Sequence, residues 1–189
     1  MSLIDAKDNL EDIKDVLVNA LNRAGNDKRS AFRFIILNTI SEEFPNSRYV
    51  VLRKFKTETA SLFIYTDYRS NKIREIQTNP LASILAYDKQ KRCQIKLKGE
   101  IEIHYEDAVA KEHWDLVQGG KESYNTKLQP GQKVSSLEDS HEMKSEYDAE
   151  FFVVMVLKVS EAEILQLNGE GHIRALFDFE KNTSSYLVP

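Results

Sequence analysis

Apolar positions near the start of the chain recur at helical spacing. Leu10, Ile13, Val16, Leu17, Ala20, Leu21 and Ala24 predict an amphipathic helix from about Asp8 to Ala24, with Gly25-Asn26 as its αL-tolerant stop. From Ala31 onward the pattern changes to short β-branched and aromatic runs. Phe32 to Thr39, Arg48 to Phe55, Ala60 to Thr66, Leu81 to Tyr87 and Cys93 to His104 read as strands. The four residues Lys56 to Thr59 and the four residues Asp88 to Lys91 are turns of hairpin length, so the pairing is antiparallel. A short helix follows Ser70 as N-cap and stops at Asn79-Pro80. Gly99 inside a strand marks a bulge or a close backbone approach. Asp107 to Val117 reads as helix, and Gly119 to Glu150 as a long irregular excursion. Strand signals resume at Phe151 to Val159, Ala162 to Leu167, His172 to Phe179 and Tyr186 to Val188. Many short antiparallel strands with few helices predict a mainly β fold closed into a barrel, since closure removes exposed edges.

At 189 residues the chain is expected to form a single domain over 1–189, with 1–25 as an N-terminal helix and 118–150 as the irregular excursion. Nine Phe and eight Tyr argue against disorder despite a charged fraction of 30%. The longest apolar run, Phe151 to Leu157, is too short to span a membrane as a helix. The acidic start lacks the basic and apolar regions of a signal peptide, and the lone Cys93 permits no internal disulfide. A cytoplasmic protein is the expectation. The net charge of −4 supplies no general attraction to nucleic acid or to an anionic membrane, so neither is expected as a partner and any anion site has to be local.

One local cluster stands out. Arg48 to Arg53 is followed, one hairpin later, by Tyr65-Thr66-Asp67-Tyr68-Arg69-Ser70-Asn71-Lys72 at a helix start. Helix N-terminal N–H groups with hydroxyl, amide and ammonium donors make a phosphate cradle. The plainer alternative is that Ser70 only caps the helix and that the cations are solvated surface.

These elements in order, continued by Asn79-Pro80, by Arg92 to Glu102 with Gln94 and Gly99, and by His172 to Phe177 before a Leu187-Val188-Pro189 ending, resemble the pyridoxamine 5′-phosphate oxidase-like, FMN-binding split-barrel family. The resemblance spans Phe32 to Pro189. Trp114, Tyr124 and Pro130-Gly131 look like a flavin-binding subgroup of that family. The resemblance implies an antiparallel split β-barrel with a few peripheral helices, FMN as cofactor, and a homodimer with FMN at the subunit interface. It assigns Arg48, Ser70 and Lys72 to the FMN phosphate, with Asn71 where arginine is usual, and Tyr65 and Thr66 to the ribityl and phosphate portion. The backbone of Val50, Val51 and Leu52 matches a strand along the isoalloxazine ring. Gln94 matches the amide that bonds the flavin, and Arg174 a basic residue at the cofactor site.

Strand geometry limits that transfer. Arg48 and Arg53 are an odd number of positions apart, so a regular strand points them to opposite faces. Arg53 is therefore read as a contact near the ring or a substrate, with His172 and Trp114 as further substrate candidates. No metal site is expected, because the histidines lack ligand spacing, and Cys93 reads as a buried apolar residue. The family's Arg-x-His-x-Arg substrate signature is replaced by Glu170-Gly171-His172-Ile173-Arg174, Arg53 stands where lysine is usual, and Glu112 to Lys127 shows no matching Tyr and Arg spacing. The expected function is an FMN-dependent oxidoreductase acting on a small molecule other than pyridoxamine or pyridoxine 5′-phosphate. The alternatives are a flavin carrier without turnover and a cofactor-free structural barrel.

Overall fold

The computed structural model describes residues 2–169 and 171–189. Helix α1, Leu10–Asn26, starts at Asn9, whose side chain accepts from the N–H of Glu11 and Asp12 while Asp12 accepts from the N–H of Asn9. This capping box settles two N–H groups of the first turn. The helix does not stop at Gly25-Asn26 as the sequence predicts. It runs through both, and its C-cap Asp27 is extended. Gly25 is needed for proximity instead, since a Cβ there would lie 3.1 Å from the Lys54 Cα.

The strands are β1 Phe34–Ile40, β2 Pro45–Lys56, β3 Ser61–Asp67, β4 Leu81–Asp88, β5 Cys93–Tyr105, β6 Phe152–Gln166, β7 Ile173–Asp178 and β8 Thr183–Leu187. All pair antiparallel in the order β3-β2-β1-β4-β5-β6-β7-β8, and β3 also pairs with β6. That extra pairing closes β1, β2, β3, β6, β5 and β4 into a barrel, with β7 and β8 as an extension. The sequence predicts separate strands at Phe151 to Val159 and Ala162 to Leu167, whereas one long strand, β6, runs through both. Its first half pairs with β3, its second half with β7, and nearly all of it with β5.

Leu37, Leu52, Leu62, Ile64, Ile84, Leu97, Met155 and Leu157, all inward-facing, are at most 1% exposed and fill the barrel. Helix α1 buries Ile13, Leu17, Leu21 and Ala24 against one end. Beside it, buried Gln166 accepts from the N–H of Leu3 at 2.8 Å and donates to the Lys91 carbonyl at 2.7 Å, pinning the N-terminus to the sheet. Helix α2, Asn71–Thr78, buries Ile73 and Ile76 at the other end. Helix α3, Ala108–Asp115, is capped by Asp107 and lies on β5 and β6. No helix among the described residues is long and apolar enough to cross a membrane.

Both features read from Gly99 are present. The register of β5 on β6 shifts between Lys98 and Gly99, and a Cβ on Gly99 would stand 1.9 Å from the Lys158 carbonyl oxygen. Gly99→Ala should accordingly lower the urea-unfolding free energy by about 3 kcal/mol, because backbone rather than a movable side chain has to give way. Gly119→Ala, with nothing within 4 Å of the added carbon, should stay within about 0.5 kcal/mol of wild type.

Candidate functional site

The site begins where two strands part. Strands β2 and β3 are paired from Leu52↔Ile64 to Lys56↔Ser61, with a register shift between Leu52 and Lys54. Beyond Ile64, β3 pairs with β6 alone, and from Pro45 to Val51, β2 pairs with β1 alone. One edge of β2 therefore lacks a strand partner along residues 45–51, next to the end of β3 and the start of α2.

Arg48, Thr66 and Lys72 border this gap. Lys72 Nζ donates to Thr66 Oγ1 at 3.0 Å, and among the described residues it forms no salt bridge. Burial, and then the neighbouring Arg48 guanidinium, pushes the Lys72 ammonium below its ordinary pKa. Ser70 occupies the N-cap position of α2, but its hydroxyl donates to the Asp67 carbonyl at 2.7 Å and does not cap the helix. The expectation of a side-chain cap is thus corrected, and the first-turn N–H groups of α2 do not donate to that hydroxyl. Asn71 is exposed at the same end, and the excursion reaches it at Gly131.

Sequence reading missed the counter-charge. Arg48 Nη2 donates to Glu75 Oε2 at 2.8 Å, Asn46 donates to Glu75 Oε1 at 2.7 Å, and the Thr39 hydroxyl donates to Glu75 while accepting from Arg48. Burial alone would raise the Glu75 pKa, but the hydrogen bonds from Thr39 and Asn46 and the charge of Arg48 outweigh it. The carboxyl is held below its usual value. Lys72 and Glu75 lie three apart on α2, yet nothing in that spacing points to Arg48.

A second group forms on the outer face. Arg53 sits at the register shift, on the opposite side of β2 from Arg48 as strand parity requires, and its guanidinium lies over the Tyr65 ring at 5.4 Å. Its Nη2 is 3.4 Å from the Tyr124 hydroxyl, and its Nε is buried without a partner. Tyr65 Oη pairs with His113 Nδ1 at 2.7 Å, and His113 stacks on Phe63. Burial raises the pKa of both tyrosines and lowers that of His113. Trp114 packs against Phe152 and Tyr124, with the Lys121 ammonium over its ring at 4.3 Å, so its faces are occupied by protein.

A third set lies along the outer face of the sheet. Gln94, Leu165, Arg174 and Leu187 are paired in one row across β5, β6, β7 and β8. Arg174 donates to Glu163 at 3.0 Å, and Lys96 pairs with the same carboxylate at 2.9 Å. Val51 is on this face, at the far side of β1 and β4, while Val50 and Leu52 turn inward. His172 is exposed before β7 and accepts from the Asn168 N–H. Glu170, the acid in the altered substrate signature, lies outside the described residues. Arg48, Thr66 and Lys72 thus meet in one chain, as do Arg53 and Tyr65, whereas Gln94 and Arg174 do not reach either group.

The excursion is anchored beside the first group by a pair the sequence reading did not single out. Asp67, 4% exposed, takes two hydrogen bonds from the Arg69 guanidinium, and Arg69 also donates to the carbonyls of Thr126 and Lys127. The Arg69 guanidinium lies 3.7 Å from the Phe151 ring centre. Burial pushes Cys93 up to about 12, which leaves its thiol inert.

Residues 12–105 match the family of the pyridoxamine 5′-phosphate oxidase, FMN-binding domain. A pyridoxine/pyridoxamine 5′-phosphate oxidase of Legionella pneumophila is 34% identical over 68 residues, covering 35% of this chain and 31% of the relative. The match thus spans about a third of the length of that curated relative. The fold is shared with a pyridoxamine 5′-phosphate oxidase-related, FMN-binding protein of Nostoc punctiforme, with a TM-score of 0.75 and 22% identity over 93% of this chain and 97% of the other. It is shared equally with PhzG of Burkholderia lata, solved with tetrahydrophenazine-1-carboxylic acid, with a TM-score of 0.75 and 18% identity over 94% and 92% of the two chains.

The buried histidine gives this region a pH dependence. The unfolded chain takes up a proton near the ordinary value of 6.5 that the folded ring refuses, so stability is complete above that pH and is drawn down as pH falls below it. Urea midpoints should decline from pH 7.5 to 5.5 in wild type and decline less in His113→Asn.

Proposed function

We propose, from a chain that belongs to the pyridoxamine 5′-phosphate oxidase-like FMN-binding split-barrel proteins, that it binds FMN between two copies of itself and uses it as a flavin-dependent oxidoreductase. The observation that carries this reading is Lys72, a largely buried ammonium with only a hydroxyl partner, beside Arg48 and the side-chain-uncapped start of α2. A buried cation without a counter-ion is stabilised by an arriving anion, and a helix N-terminus adds N–H groups aimed at it. The unpaired edge of β2 from Pro45 to Val51 offers backbone donors and acceptors to the heterocycle at the side of that phosphate position.

Arg48, Thr66 and Lys72 would hold the phosphate end, with Asn71 at the rim and Ser70 shaping the turn that starts α2, its hydroxyl donating to the Asp67 carbonyl rather than to the phosphate. Val50 and Val51, within the unpaired edge, would present backbone to the ring, whereas Leu52 pairs with Ile64 and donates its N–H to the Arg33 carbonyl, so its backbone is already taken. Arg53 and Tyr65 would lie toward the substrate side. Gln94 and Arg174 sit on the outer sheet face, away from the gap, so their part in the same site requires the second copy to supply them. Phe34, Tyr49 and Tyr87 are 47% to 73% exposed on that face, which supports its being covered in a dimer. FMN, when bound, supplies the hydride and electron transfer chemistry.

The substrate is read as neither pyridoxamine nor pyridoxine 5′-phosphate. Beside Tyr65 the chain sets the rings of His113 and Tyr124, with Trp114 behind Tyr124; the cations there are Arg53, over Tyr65, and Lys121, over Trp114, both already lying on aromatic rings. Steady-state oxidation of those two compounds by FMN-loaded protein should yield no pyridoxal 5′-phosphate. Bleaching of the bound flavin by a reduced nicotinamide, followed by reoxidation, distinguishes an oxidoreductase from a carrier.

Lys72→Ala should weaken FMN about tenfold or more, through loss of a charge-assisted hydrogen bond, and leave riboflavin affinity unchanged. Equal wild-type affinities for FMN and riboflavin would remove the phosphate placement. Sedimentation of the wild type should give a dimer, and a monomer that retains FMN tightly at micromolar concentration would contradict the shared site.

A further inference from the structure

We propose that Glu75 is the residue that sets how weakly the Arg48–Lys72 gap holds a phosphate dianion, so that this site exchanges a phosphate-bearing flavin rather than retaining it. The flavin half of this statement rests on the FMN reading above, and the dianion half does not.

The Glu75 carboxylate is fixed in place. It accepts from three donors on two strands: Arg48 Nη2 on β2 at 2.8 Å, Asn46 Nδ2 before it on the same strand at 2.7 Å, and the Thr39 hydroxyl on β1, while its own backbone is in α2. Its side chain is 11% exposed and Thr39 is 1% exposed. A carboxylate held this way does not swing into solvent when an anion arrives. It stays as a like charge beside the incoming phosphate, in surroundings where like charges are poorly screened.

The same contacts tie up the arginine. With one N–H of Nη2 on Glu75 and one of Nη1 on Thr39, the Arg48 guanidinium has two of its five N–H donors committed to the protein. A phosphate meets a guanidinium whose orientation and part of whose charge are already engaged by Glu75, with only the remaining N–H groups open to it. The other charges nearby do not compensate. Asp67 is neutralised by Arg69 at 2.6 Å, and the position after Ser70 carries neutral Asn71. Arg48, Lys72 and Glu75 together leave a single net positive charge facing a dianion. Reduced affinity of this kind is expressed mainly as faster release.

The experiment compares Glu75→Gln and Glu75→Ala with wild type by flavin-fluorescence titration and stopped-flow release, with FMN and riboflavin, and by the thermal shift that inorganic phosphate causes without flavin. Glu75→Gln keeps the size and one acceptor oxygen for Arg48 and Thr39, and its NH2 can donate to Asn46 once that amide turns its own oxygen inward. Glu75→Ala serves where the glutamine variant does not fold. FMN should bind the folded variant about tenfold more tightly and leave more slowly, riboflavin affinity should be unchanged, and inorganic phosphate should raise the melting temperature more than in wild type. Equal or weaker FMN binding by a folded variant overturns the proposal, because it makes Glu75 a support that positions Arg48. Equal wild-type affinities for FMN and riboflavin overturn the FMN placement instead. The phosphate-induced shift then decides Glu75 alone, a larger shift in the variant supporting it and an equal or smaller one overturning it.

Discussion

The parting of β2 from β3 beyond the Leu52↔Ile64 pair is the constraint on which the candidate site depends. A two-stranded ribbon with continued pairing would have covered the β2 backbone from Pro45 to Val51 and closed the gap in which Arg48, Thr66 and Lys72 meet. The barrel tolerates the opening because β3 finds a second partner in β6 and β2 keeps β1, so each strand retains one full ladder. The register shift at Arg53 adds local twist and returns Phe55 to the core, while Arg53 stays outside over Tyr65. Helix α2 fills the end of the barrel beside the opening with Ile73 and Ile76, and its polar face brings Lys72 and Glu75 to the gap.

Charge is distributed around that opening in matched and unmatched pieces. Arg69 is matched by Asp67, with both partners largely out of solvent, and the pair doubles as the strut that hangs the excursion near Thr126 and Lys127. Arg48 is matched by Glu75. Among the described residues Lys72 has a hydroxyl and no salt-bridged carboxylate, and Arg53 has a long contact to the Tyr124 phenol and the face of the Tyr65 ring. Unmatched cations in partly buried places are costly in the isolated chain, and that cost is offset where an anion completes them. Partners, rather than exposure, therefore distinguish Arg69, bound up in the fold, from Lys72, while Arg48 stands between them with its charge shared by Glu75.

The candidate residues also divide by face. Arg48, Thr66 and Lys72 are gathered by strand and helix geometry within one chain, whereas Gln94 and Arg174 share a row on the outer face. In the dimer proposed above the two sets would belong to one site across two surfaces, and the exposed aromatic rings of the outer face are the apolar area such a partner would cover.

Much of this was legible in the sequence. Alternating apolar residues located the strands, the Gly99 anomaly marked both a register shift and a close approach, and strand parity separated Arg48 from Arg53. These are local properties: side-chain period, turn composition and the room a missing Cβ leaves are all read within a few residues. The rest required the folded chain. That Phe151 to Leu167 is nearly all one strand with three partners, that Gly25 lies inside a helix with the Lys54 backbone too close for a side chain, and that the Ser70 hydroxyl turns back to Asp67 all depend on the folded chain. So does the pairing of Arg48 with Glu75, 27 positions apart. Pattern fixes which residues face inward, but which charges end up beside one another is decided by register and by the path of a helix across a barrel end, neither of which is encoded in any short stretch of chain.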